Sequence, residues 1–324
     1  MHPAFSVIFF TVVSGCGLGL MMVLGLLLAS GAGLLGRGEA MFALTLAGAL
    51  AGAGLLSSML HLGQPQRAWR ALSQWRTSWL SREGVVSIIT FAPLLVALWL
   101  LWRETNPDAL RLCGLLLALS SALTLYCTAG IYSSLKTIRA WHNAYVLPGY
   151  LLLGLLGGGA WLWLIDAAAS NGGRSLQIEL AFATLLLALA SAALKRGYWH
   201  FVDAPATASS VESATGLGRF GTVRAVEAPH TEENYLTQEM GFQLARKHAR
   251  KLRGIASLLI GVVPALFALM ALVLLHRHDS LIALRIGCAG VALLSVIAGT
   301  FVERWLFFAE AKHVVMLYYG AQRA

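Results

Sequence analysis

Between residues 4 and 36 the chain carries no charged side chain. Six further uncharged runs follow at 40–60, 84–102, 112–135, 140–165, 254–275 and 286–302. A bilayer core needs roughly 20 apolar residues per helix, and each run is near or above that length. Only 12% of the 324 residues are charged and 58% are hydrophobic, whereas a soluble domain carries about a quarter charged. The mean hydropathy of +0.71 agrees. These runs exclude a soluble enzyme, a secreted disulfide scaffold, a disordered chain and a nucleic-acid-binding domain.

Backbone groups in lipid must be satisfied within their own segment, so each run is expected to be a helix. Alternation of the outer-membrane strand type is absent. The expected architecture is all-α: a polytopic helix bundle of eight transmembrane helices, seven from these runs and one from the shorter apolar stretch that starts with Gln177 and Glu179, forming one integral membrane domain over 1–324. The spans are expected at about 5–30, 40–62, 84–102, 111–135, 143–165, 177–195, 254–276 and 281–306. The first lacks a basic leading region and is too long for a signal-peptide core, so it reads as a retained helix. Residues 196–253 then form the one long loop, whose part from 231 to 253 reads as helical, with acidic residues first and basic residues last.

Eight spans put both termini on one face, with the 2–3, 4–5 and 6–7 connections. That face holds eighteen of the 24 Lys and Arg residues. Basic loops stay in the cytoplasm, so both termini are expected to be cytoplasmic. The same asymmetry accounts for the net charge of +9. Its counter-charges are anionic membrane lipid and acidic partner faces, with no nucleic acid.

Several features bear on chemistry only negatively. Cys16, Cys113, Cys127 and Cys288 are scattered singly, so no iron–sulfur cluster or structural zinc is expected in this chain. The remaining histidines fall at span ends or in loops, which gives no paired haem ligands. Gly216 to Gly221 spells G-x-G-x-x-G, but the fingerprint needs a preceding strand in a βαβ unit. Asp166 and Asp203 are expected at or beyond a membrane boundary. Gly15/Gly19, Gly48/Gly52 and Gly154/Gly158 have the four-residue spacing of close helix packing.

The cluster with chemical content lies between spans two and three. It runs His61-Leu62-Gly63-Gln64-Pro65-Gln66-Arg67-Ala68-Trp69-Arg70, then Trp79-Leu80-Ser81-Arg82-Glu83-Gly84. His61 ends one span and Glu83 begins the next, so a histidine, a carboxylate and several arginines converge on one edge. A quinone needs a hydrogen-bond partner that gives or takes a proton, and His61 qualifies. Glu83 suits a proton relay, and Arg67 suits geometry or charge. The alternative is an interfacial belt of Trp69, Trp75 and Trp79 with Arg67, Arg70, Arg76 and Arg82, in which Glu83 only meets a helix dipole.

The opening Met1-His2-Pro3-Ala4-Phe5-Ser6-Val7-Ile8 and the His61-to-Gly84 block resemble the dimethyl sulfoxide reductase membrane anchor family. The anchors of quinone-linked sulfite dehydrogenases belong to the same broad family, and the long 6–7 loop and the N-terminal block resemble that branch. The resemblance covers the whole chain. It implies a haem-free anchor in the bacterial inner membrane, exchanging electrons with quinone (menaquinone or ubiquinone). The implied partners are a ferredoxin-like iron–sulfur subunit and a molybdopterin catalytic subunit. It implies quinone-site roles for residues matching His61, Gly63, Arg67 and Glu83, with Ser81 and Arg82 in the same block. Arg70, Arg76, Arg246 and Lys247 are candidates for partner docking. The runner-up reading is a secondary transporter, which the charge-free span centres disfavour.

Overall fold

A computed structural model describes residues 4–61, 63–169, 174–204, 209–224, 226–227, 244–277, 282–319 and 321. Eight helices are long and apolar enough to cross a membrane, and no strand occurs among the described residues. They are α1 (Phe5–Ser30), α2 (Arg37–Ser57), α3 (Trp79–Arg103), α4 (Pro107–Ser133), α5 (Val146–Ala169) and α6 (Arg174–Asp203). The seventh, α7, is an α-helix over Leu244–Ser257, one π turn over Leu258–Val262, then α-helix again over Val263–Arg277. The eighth, α8, spans Ile282–Ala309.

Local chemistry sets the ends. Gly31 closes α1 in the left-handed region at φ 66°, its N–H donating to Leu28 O. Asn106 starts α4 by accepting from Ala109 N at 3.0 Å, with Pro107 in the first turn, where a missing N–H costs nothing. At the other face of the bundle, Arg139 donates to the Phe201 and Ala204 carbonyls at 2.6 and 2.9 Å. This satisfies carbonyls at the end of α6 that have no partner further along the helix.

α1 packs on α2, α4 and α5, and α3 packs on α4. α5 in turn carries α6 and α8, with α7 between those two. The bundle therefore has two four-helix halves joined along α1 and α5. Glycine makes that joint. A Cβ at Gly19 would strike the Gly154 carbonyl, and one at Gly158 would strike the Gly19–Leu20 backbone. Helices associating in lipid gain mainly from van der Waals contact, which this approach maximises. The π turn in α7 is braced from α8, where Ser295 Oγ donates to Leu259 O at 2.7 Å.

Eight spans were expected and eight are present, with shifts that matter at two places. α3 begins at Trp79 rather than 84, because Ser78 caps it through its side chain; Glu83 therefore sits inside the helix. α6 runs to Asp203 and α7 starts by 244, so helix occupies both flanks of the expected 196–253 loop. Asp166, expected at or beyond a membrane boundary, lies three residues from the end of α5 and is buried there. The G-x-G-x-x-G stretch follows a five-residue helix, Val211–Thr215, and no strand precedes it among the described residues.

Candidate functional site: a cavity between helices α1 to α4

The segment joining α2 to α3 is short and folds as two 3-10 pieces, Ser58–His61 and Pro65–Gln74. Pro65 opens the second piece, and its ring forbids a continued α2 hydrogen-bond ladder. The segment lies across the ends of α2 and α3 and roofs a cavity of about 1030 Å³. That volume is at the upper end for small-molecule sites.

The cavity wall is mostly apolar and draws on four helices. α1 gives Val7 and Phe10, α2 gives Leu55 and Leu56, α3 gives Leu80 to Phe91 at intervals, and α4 gives Ile131 and Tyr132. The polar exceptions are Ser58, Gln64 and Arg67 from the roof, Glu83 and Ser87 from α3 and the Tyr132 hydroxyl from α4, with Gly63 beside them. A large apolar hollow with a few converging polar groups is the form of a site for a lipophilic ring bearing oxygens.

Glu83 is only 4% exposed and accepts a hydrogen bond from the Thr128 hydroxyl of α4. Two turns deeper, Thr90 and Thr124 hydroxyls meet at 3.1 Å. These rungs follow from spacing. Glu83, Ser87 and Thr90 lie at i, i+4 and i+7 on α3, and Ser121, Thr124 and Thr128 at i, i+3 and i+7 on α4. Both stripes share one face of their helix and meet across the α3–α4 contact.

Of the residues singled out in sequence, Gly63, Arg67 and Glu83 come together on the cavity wall. The His61 backbone ends the first 3-10 piece, while its side chain lies outside the described residues. Arg82 turns away from the cavity. Its guanidinium donates to the Trp75 and Arg76 carbonyls at 3.1 and 2.7 Å and lies 4.5 Å from the Trp79 ring centroid. It thereby pins the roof segment to the start of α3. Ser81 is buried on another face, its hydroxyl without a hydrogen-bond partner among the described residues. Arg70 and Arg76 are exposed, each over the neighbouring tryptophan at 5.5 Å. The Arg246 and Lys247 side chains lie outside the described residues.

Sequence reading missed Tyr132 and Thr128. Tyr132 lines the cavity from α4 and stacks on Tyr150 of α5 with centroids 5.8 Å apart. Behind Tyr150 stand three nearly buried ions, Lys195, Glu303 and Arg304, none more than 5% exposed. Lys195 is paired with Glu303, and the Arg304 guanidinium lies 3.7 Å from the Tyr150 ring centroid. The 83/87/90 and 121/124/128 spacings were the signal for Thr128. No local pattern announces Tyr132.

Set against known proteins, the family described as DMSO reductase anchor subunit (DmsC) matches residues 1–320. The sequence is 31% identical over 334 residues to the C subunit of the sulfite dehydrogenase of Allochromatium vinosum, spanning 98% of this chain and 99% of that one. It is 28% identical over 139 residues to the C polypeptide of the anaerobic dimethyl sulfoxide reductase of Escherichia coli, covering 43% of this chain and 48% of that relative. The anaerobic dimethyl sulfoxide reductase polypeptide YnfH of the same organism is 28% identical over 170 residues, covering 52% and 58%.

Proposed function

The chain belongs to the DMSO reductase anchor subunit family, and on that premise we propose that it is the quinone-reactive anchor of a molybdoenzyme complex. The complex we have in mind is of the sulfite dehydrogenase type, since that relative matches along its whole length. The catalytic partner is a molybdopterin subunit, and an iron–sulfur subunit carries electrons between it and this chain. The setting is a bacterial inner membrane with both termini in the cytoplasm, in accord with the distribution of Lys and Arg.

The observation that carries the reading is the cavity itself. It is roomy and apolar, as a quinone ring and the start of its tail require, and Gly63, Arg67 and Glu83 line it together. Interconversion of quinone and quinol moves two electrons and two protons. Glu83 is the group on the wall suited to hold and pass a proton, and the Thr128 hydroxyl fixes its carboxyl. Arg67 faces the same space from the roof and offers a fixed positive charge with several N–H donors. Gly63 has nothing within 4 Å of where a Cβ would stand, so the roof stays open beside it. His61, at the end of its 3-10 piece, belongs to the same site by chain proximity. The basic, tryptophan-rich segment bearing Arg70 and Arg76 stays exposed, and the docking role falls to it.

Glu83→Gln and His61→Ala test the reading in the intact complex. Each is expected to cut quinone-linked turnover about a hundredfold or more, with assembly and dye-linked turnover by the partners at the parent level. Parent-like quinone kinetics in both variants would refute the site. A chain that purifies without metalloprotein partners and moves a solute into liposomes would refute the anchor role in favour of transport.

A further inference from the structure

We propose that the buried Lys195–Glu303–Arg304 cluster, with Tyr150 and Tyr132, is a lateral proton path joining the cavity to the aqueous face at the α6–α7–α8 corner. The inference rests on the quinone reading above and adds residues that no part of that reading uses.

Position comes first. Lys195 lies eight residues before the end of α6 and Glu303 six before the end of α8. At 1.5 Å per residue both stand roughly 10 Å inside the helix ends. Ions held at that depth are costly, and a well-packed apolar trio would serve stability as well. Their retention calls for a task.

The arrangement supplies one. At the corner, Arg253 of α7 donates to Asp203 at 2.6 and 3.1 Å and to Glu310 at 3.0 Å. Asp203 is 62% exposed and Glu310 only 8%, so this triad steps from water into the bundle. About two turns further in along α8 is Glu303, paired with Lys195 and 3.5 Å from Arg304. Glu303 Oε2 has no hydrogen-bond partner among the described residues. Glu303 is flanked by Lys195 and its own neighbour Arg304, and these two cations lie 4.4 Å from the Tyr198 ring centroid and 3.7 Å from that of Tyr150. Arg304 keeps its proton at all working pH values, so it holds charge and does not relay. Next comes Tyr150, 2% exposed, whose hydroxyl has no partner among the described residues. Tyr132, stacked on it, lines the cavity.

Proton balance gives the path its use. Reducing one quinone takes two electrons from the iron–sulfur partner and two protons from water, and oxidising a quinol returns both. Glu83 serves one oxygen of the ring. A second route ending at Tyr132 serves the other from the α5–α8 side of the cavity. Glu303 passes protons by alternating between carboxylate and acid, Lys195 and Arg304 hold it in place, and the two tyrosine hydroxyls complete the chain.

The test uses the intact complex in native membranes with a water-soluble quinone analogue, and dye-linked turnover as the measure of assembly. Glu303→Gln and Tyr150→Phe are each expected to lower quinone-linked kcat about tenfold or more and to raise its solvent deuterium isotope effect. KM for the quinone and dye-linked turnover stay near the parent values, and Glu303→Asp keeps most of the rate. Should Glu303→Gln fail to assemble, Tyr150→Phe decides, since it removes a single hydroxyl. Parent-like kcat and isotope effect in Tyr150→Phe overturn the path, as does a raised KM with an unchanged isotope effect. Those results alongside an inactive Glu83→Gln leave the quinone site standing, whereas a parent-like Glu83→Gln overturns the site on which the path depends.

Discussion

Glu83 shows how one residue's role depends on a few ångströms of helix. Read as the first residue of a span, it is an interfacial carboxylate that a helix dipole explains. The Ser78 cap places it instead in the second turn of α3, 4% exposed and held by Thr128. The His61-to-Glu83 block was legible because its residues are close in sequence and one short connection must bring them together. Tyr132 was not, because its place on the cavity wall is set by packing between helices far apart in the chain. The Lys195–Glu303 pair spans more than a hundred residues and left no local trace. Thr128→Val removes the donor to Glu83 together with the hydroxyl's contact to the Thr124 carbonyl within α4. A hydrogen bond to a charged group is worth about 1.5–3 kcal/mol, so quinone-linked turnover should fall by about ten- to a hundredfold while dye-linked turnover holds. Parent-like quinone turnover in Thr128→Val would make that hydroxyl incidental.

At the scale of elements, seven of the eight helices were plain in the sequence because uncharged length alone identifies a span, whereas the sixth, with Glu179 near its start, rested on a shorter apolar run. Helix ends were less plain, since side-chain caps and fraying decide them. The glycine pairs foretold close packing without naming partners, and the structure distinguishes them. Gly158 faces the α1 backbone, whereas Gly48 faces the end of the Leu94 side chain at 2.9 Å. A backbone cannot yield and a flexible side chain can. Gly158→Ala is therefore expected to cost on the order of 1–3 kcal/mol, and to lower the thermal midpoint in detergent clearly more than Gly48→Ala does. Equal midpoints would contradict the backbone contact at the α1–α5 joint. Charge-free centres hold for the runs themselves, yet Asp166 and the Lys195 cluster show that ionisable groups enter the bundle near the helix ends.

Across the whole molecule, the features converge on one face. The roof segment, the cavity beneath it, the Asp203–Arg253–Glu310 corner and most of the basic residues belong to the face that bears the 2–3, 4–5 and 6–7 connections. An anchor that passes electrons to a soluble partner and protons to the same aqueous phase needs this one-sided layout, and each half of the bundle contributes to it. The most direct measurement is photolabelling of the intact complex with an azido-quinone, followed by peptide mapping. The account predicts adducts on the cavity wall, in the segments 55–72, 80–91 and 131–132, with protection by excess quinone. Protectable adducts confined to the opposite ends of the helices, around 31–40 or 101–111, would contradict it.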